Sequence, residues 1–133
     1  TDRKKPQLKK PISQPLDVYN FFNGYNNLNL KRLLVIILNQ DKQLLNWEFM
    51  GEGTDRHISF KKKDIYRKAF LMKKKVSIII DDNLKVHSHN PSHKDILLTK
   101  RLIKTGKILG IELIDRIVIN NKDFKSYDKM DLI

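Results

Sequence analysis

The sequence predicts an α/β domain, a mixed β-sheet flanked by helices, on three observations. Residues 33–38 (LLVIIL) and 76–80 (VSIII) are apolar on both faces, the pattern of strands covered on each side. Residues 61–74 and 92–107 instead repeat apolar side chains at helical spacing. Helices and strands then follow in the order helix, two strands, helix, strand, helix, two strands, which favours helices packed on a sheet. A chain of 133 residues, 40% hydrophobic and 32% charged, is long enough for one domain with a real core.

Residues 1–11 (TDRKKPQLKKP) hold five basic residues and two prolines and read as a flexible basic arm, leaving 12–133 as the domain. Ser13 and Pro15 suit a helix start, and Val18, Phe21 and Phe22 share one face of a short helix ending near Gly24. After the strand at 33–38, residues 39–42 (NQDK) make a turn. Residues 44–50 return as a strand, with Leu45, Trp47 and Phe49 on one face and Leu44, Asn46, Glu48 and Met50 on the other. Glu48 is then a carboxylate on a largely apolar strand, either partly buried or exposed. Residues 51–54 (GEGT) break the strand, and an irregular stretch runs to about Phe60.

The helix at 61–74 points Ile65, Ala69 and Met72 inward, with Tyr66 and Phe70 beside them and Lys63, Arg67 and Lys74 on a basic face. The strand at 76–80 leads into a polar loop with three histidines, His87, His89 and His93. Pro91 precedes a second helix whose stripe is Leu98, Leu102 and Leu109 with Ile103 alongside. Lys100, Lys104 and Lys107 share another face, either a phosphate-binding one or simply solvated. Gly110 fits a C-terminal cap. Residues 111–119 form a strand, Asn120 and Asn121 a turn, and 124–127 a last short strand.

The formal charge of +12 is the strongest bulk signal. It favours DNA or another polyanion through counterion release, although heavy use of Lys, Asn and Ile also fits simple compositional bias. Aromatic residues are not interleaved with the basic ones as in a single-strand binding platform, so nucleic-acid contacts would go mainly to phosphates. The absence of cysteine excludes disulfides and Cys-ligated zinc. No apolar run is long enough to cross a membrane and no signal-like segment opens the chain, so no membrane partner and a cytoplasmic location are expected. The first residue is Thr1 rather than Met, which fits a processed chain or a piece of a longer one.

Residues 76–95 (VSIIIDDNLKVHSHNPSHKD) concentrate the chemistry. His87-x-His89 offers two imidazoles, and Ser92-x-x-Asp95 follows. His87, His89 and Asp95 are the right types for zinc with an open position. Ser92-x-x-Asp95 after Pro91 is equally a helix-start pattern, with serine as cap and an acid in the first turn.

From Ile12 to Ile133 the chain resembles the C-terminal domain of RadC-type proteins, of the JAMM (MPN-plus, JAB-type) metalloprotease fold. ISQPLDVYNFF is similar to the family's opening helix, and GEGTDRHISFKKKDIYRKAF to its GT…PRE-V-KRA segment. DILLTKRLIKTGKILGIELIDRIVI matches the family's helix and its G-I-x-x-x-D-x-I-I strand, and FKSYDKMDLI matches its S-F-x-x-x-G-L-I ending. The resemblance implies a single JAMM/MPN-like domain with a cytidine-deaminase-like layout. The family signature is a glutamate on an early strand, then H-x-H-P-S-G, then S-x-x-D. In such a site two imidazoles and the aspartate hold zinc, the glutamate shuttles the proton of the metal-bound water, and the serine supports the oxyanion.

Carried over residue by residue, Glu48 falls at the glutamate and Ser92 and Asp95 at S-x-x-D. The histidine positions hold Asp82 and Leu84 counting back from Asp95, or Asp81 and Asn83 counting forward from Ala69. Neither frame recovers a histidine, and leucine has no donor for zinc. The resemblance therefore implies a degenerate zinc motif in a non-catalytic binding or scaffolding module that needs no cofactor, with DNA, another polyanion, a protein or a second copy as partner. The alternative is a zinc-dependent JAMM-type hydrolase, a peptidase acting on an isopeptide or similar amide. Its shifted motif would use His87, His89 and Asp95 as ligands, with Glu48 and Ser92 catalytic. A third arrangement is a new site using Asp81 or Asp82. The family is associated by name with DNA repair, a role these residues do not themselves demonstrate.

Overall fold

The computed structural model describes residues 11–23, 31–53, 62–83, 90–119 and 123–133. The predicted basic arm therefore lies almost wholly outside the described residues. The elements are α1 (Pro15–Asn23), β1 (Lys31–Leu38), β2 (Leu44–Gly53), α2 (Lys62–Ile65), α3 (Arg67–Leu71), β3 (Ser77–Asn83), α4 (His93–Leu109), β4 (Glu112–Ile119) and β5 (Phe124–Ser126). The strands form one sheet in the order β2-β1-β3-β4-β5. β3 and β4 pair in parallel across the α4 crossover and every other pair is antiparallel, so the predicted mixed sheet flanked by helices is present.

Alternation sorts the central strands onto two faces. Leu33, Val35 and Ile37 of β1 and Ile78 and Ile80 of β3 point to the α4 side, where they pack with Ile65, Tyr66, Ala69 and Leu102. Leu34, Ile36, Leu38, Ile79, Ile117 and Ile119 point to the other side, against Val18 of α1 and Trp47. Both faces are covered, which is why the two runs are apolar at nearly every position.

Several elements differ from expectation. β2 continues through Gly51–Gly53, pairing with Lys31–Leu33, because a register shift between Leu33 and Leu34 absorbs the glycines that were expected to end the strand. A second shift, between Ile37 and Leu38, skips Leu45, so Leu44 joins Trp47 on the α1 side while Leu45 and Met50 pack on the α4 side. The predicted helix at 61–74 is two short helices broken at Tyr66. Ile65 and Tyr66 are both buried at the break and belong to the same core cluster. The break turns both inward and leaves Phe70 57% exposed. Leu109, expected in the α4 stripe, is 39% exposed at the helix end. β3 runs on to Asn83, so Asp81 and Asp82 are strand residues rather than loop residues.

Local chemistry fixes the connections. Asn39 Oδ1 accepts the backbone N–H groups of Asp41 and Gln43, both at 2.9 Å, and Lys42 takes φ 64° to close the β1–β2 turn. Asp17, rather than the predicted Ser13 cap, collects the start of α1, accepting from the Ser13 N–H at 2.9 Å and the Gln14 N–H at 3.2 Å. α4 ends on Gly110 in the left-handed conformation, φ 75°, as its position in the sequence suggested.

Candidate functional site

Of the predicted site positions, Glu48 and Asp82 lie on the α4 face of the sheet, and Ser92 and Asp95 lie at the start of α4. Glu48 of β2 stands opposite Val35, whose side chain belongs to the α4-side core, and Glu48 is half-buried. Val35 in turn stands opposite Ile80, two residues before Asp82. Two strand spacings of roughly 4.8 Å thus separate the Glu48 and Asp82 strands. Alternation gives Asp82 the same face as Ile78 and Ile80. Asp81 is paired with Leu34 and faces the α1 side, away from Ser92 and Asp95.

Asp82 is buried and ion-paired. Arg116 of β4 places Nη2 2.6 Å from Asp82 Oδ2 and donates from Nη1 to Thr99 Oγ1 of α4 at 3.0 Å. Thr99 Oγ1 itself donates to the Asp95 carbonyl at 2.8 Å. The guanidinium carbon lies 5.3 Å from the centre of the Tyr127 ring, a cation–π contact. Burial, the largest single influence, would lower the Arg116 pKa, but Asp82, Tyr127 and Asp95 together outweigh it and hold the guanidinium above its ordinary value. Burial also raises the Tyr127 pKa, so its phenol stays neutral beside the charge. One continuous arrangement therefore links β3, β4, α4 and the C-terminal turn.

Ser92 and Asp95 form a reciprocal capping box at the start of α4. The Asp95 N–H donates to Ser92 Oγ at 3.1 Å, and the Ser92 N–H donates to Asp95 Oδ2 at 3.3 Å. Both predicted site residues thus have a helix-starting task. Lys100, Lys104 and Lys107 are all exposed on α4, and Arg101 beside them is exposed too. His87, His89 and Leu84 lie outside the described residues, as does the side chain of Asn83.

Neither frame puts an imidazole at the two family histidine places. The first histidine place, in the Asp82–Leu84 frame, holds a carboxylate already bound to a guanidinium, and the second holds a residue with no donor. Among the described residues, no group of three or more His, Cys, Asp or Glu side chains is placed to hold a metal ion.

Sequence reasoning missed Arg116, Thr99 and Tyr127. A signal for Arg116 was present: residues 113–119 (LIDRIVI) set a charge on a strand that is otherwise core, and a buried charge requires a partner. Asp115, the acid of the G-I-x-x-x-D pattern, faces the other side. It accepts from the Arg116 and Asp128 N–H groups and from the Ser126 hydroxyl, and burial raises its pKa against those bonds. Its task is to fix the turn after β5.

The family model of the RadC-like JAB domain matches residues 12–132. The chain belongs to that family. Similar proteins include UPF0758 proteins of Clostridium beijerinckii, 32% identical over 92% of this chain and 53% of the relative, and of Methanosarcina mazei, 28% identical over 89% and 52%. Another, from Staphylococcus carnosus, is 29% identical over 89% of this chain and 52% of its own length. The chain spans about half the length of the curated relatives it matches. The five-stranded mixed sheet with its helices agrees with a single RadC-like JAB domain. No helix among the described residues is long and apolar enough to cross a membrane.

Proposed function

We propose that this RadC-like JAB domain is a catalytically silent binding or scaffolding module whose zinc motif is degenerate. The observation that carries the reading is the pairing with Arg116 of Asp82, which stands at the first family histidine in the Asp82–Leu84 frame. A carboxylate held by a buried guanidinium is a poor zinc donor, because the incoming dication must displace or lie against a fixed positive charge. Ser92 and Asp95 remain because α4 needs its cap, not because hydrolysis needs them.

The partner surface is the exposed basic face of α4. Lys100, Lys104 and Lys107 recur at i, i+4 and i+7 and present three ammonium groups on one side. They suit phosphate oxygens of DNA or another polyanion rather than base edges. Three phosphates neutralised in this way give a slope near −2.7, so affinity for duplex DNA should fall about 40-fold between roughly 50 and 200 mM salt.

The test combines metal content with DNA binding. Protein purified without chelator should carry substoichiometric zinc and keep its thermal midpoint on chelator treatment. Duplex DNA binding should weaken with salt and weaken further in Lys100→Ala/Lys104→Ala/Lys107→Ala. Near-stoichiometric zinc that is lost in His87→Ala or His89→Ala would instead establish the shifted JAMM-type hydrolase site. Salt-insensitive DNA binding, or none, would remove the polyanion partner and leave a protein contact.

A further inference from the structure

We propose that Arg116 is the resident cation of this domain: its guanidinium takes the structural place that a metal ion holds in a competent site. The inference rests on the degenerate-motif reading and deepens it. It explains how the corner stays folded without a metal and why it should not regain one by simple exposure to zinc.

The geometry comes from three elements. Asp82 lies one residue before the end of β3, Asp95 lies in the first turn of α4, and Arg116 reaches Asp82 and Thr99 from β4. Its Nη2 lies 2.6 Å from Asp82, and its Nη1 lies 3.0 Å from Thr99 Oγ1, one helical turn after Asp95. The Asp95 charge acts on the same guanidinium. A single positive charge thus pairs with Asp82 and feels Asp95, the two carboxylates that stand at family ligand places in the Asp82–Leu84 frame. Tyr127, 1% exposed, closes one face of the guanidinium with its ring.

A metal in such a corner would neutralise its ligands and tie β3 to α4. Arg116 does the same through covalent attachment to β4, so the link cannot be removed by chelation. The arrangement is also self-contained: the charge on Asp82 is balanced by a partner even more buried than itself, with 5% of the Arg116 side chain and 11% of the Asp82 side chain exposed. Lys could supply the charge but not the fork that reaches Asp82 and Thr99 together.

The decisive experiment is a double-variant cycle on the whole chain, read by thermal unfolding with and without chelator and added zinc. Arg116→Met and Asp82→Leu should each lower the melting midpoint by about 10 °C or more, because each leaves a buried charge alone. Asp82→Leu/Arg116→Met should recover most of that loss. If neither single variant folds, a folded double variant gives the same answer. A double variant no better than the singles overturns the proposal.

The zinc arm separates this inference from the functional reading. Neither chelator nor zinc should move the wild-type midpoint. A zinc-dependent rise abolished by Asp82→Asn would overturn the Arg116 assignment, since Asp82 would then be a metal ligand. A rise abolished by His87→Ala but kept in Asp82→Asn would overturn the silent reading. In that case recovery in the double variant would still support Arg116 as the internal cation.

Discussion

The two ends of α4 are held in the domain by different means. At its N-terminal end the contacts are polar and reciprocal: Ser92 with Asp95, Thr99 with Arg116, Arg116 with Asp82. Toward its C-terminal end they are steric. A Cβ on Gly106 would land on the Ile111 carbonyl oxygen and within 2.6 Å of the Tyr66 hydroxyl, and that hydroxyl donates to the Leu102 carbonyl at 2.6 Å. On the silent reading proposed above, this difference lets the zinc chemistry go while the fold persists. Steric contacts admit few side chains, whereas a polar pair can be exchanged for another pair as long as both members change.

The largest expected effect tests the polar end. Arg116→Met should cost about 3–5 kcal/mol in urea unfolding, because Asp82 is left charged and buried. The steric end provides the next. Gly106→Ala should cost about 1–3 kcal/mol, since the Ile111 N–H also donates to the Gly106 carbonyl at 2.8 Å and holds the two backbones together. The contrast lies in compensation. A second substitution, Asp82→Leu, should recover Arg116→Met, whereas Tyr66→Phe should not recover Gly106→Ala, because the Ile111 backbone is still in the way.

These ends also differed in how far they could be read from sequence. Gly110 as the α4 cap, Leu102 as a core residue and Ser92–Asp95 as a helix start all follow from local pattern and are present. The Asp82–Arg116 pair was not legible, because its partners lie 34 residues apart and meet only through the parallel pairing of β3 with β4. The choice between Asp82 and Asp81 as the residue beside α4 likewise needed strand register, since a one-residue slip reverses the face. Leu45 and Leu44 exchanged faces for a similar reason, a bulge that period-two counting does not see. The H-x-H at His87 and His89 lies outside the described residues, so the shifted site stands as an alternative for metal analysis.

Tyr66 allows a smaller, pH-resolved test of the steric end. Burial raises its pKa from 10.0 to about 12. A phenol whose folded pKa is raised contributes stability that is fully present below pH 10 and lost as pH rises through about 12. Tyr66→Phe should cost about 1 kcal/mol at neutral pH through the lost bond to the Leu102 carbonyl. The gap between wild type and variant should then narrow above pH 10. A gap that stays constant to pH 12 would mean that Tyr66 ionises as freely folded as unfolded.

Ser92 gives the smallest effect and the sharpest reading of the polar end. In the family it would support an oxyanion; here its Oγ accepts from the Asp95 N–H and its own N–H is bound by the Asp95 carboxylate. Ser92→Ala should therefore cost about 1 kcal/mol. Ser92→Asn should restore most of it, since asparagine caps as well as serine but lacks the hydroxyl. If capping is the whole of its role, stability and DNA binding should follow the cap and not the hydroxyl. A hydroxyl required for any function of the folded chain would appear as Ser92→Asn matching wild type in stability while failing in that function, and the polar end of α4 would then be a working site rather than a rebuilt joint.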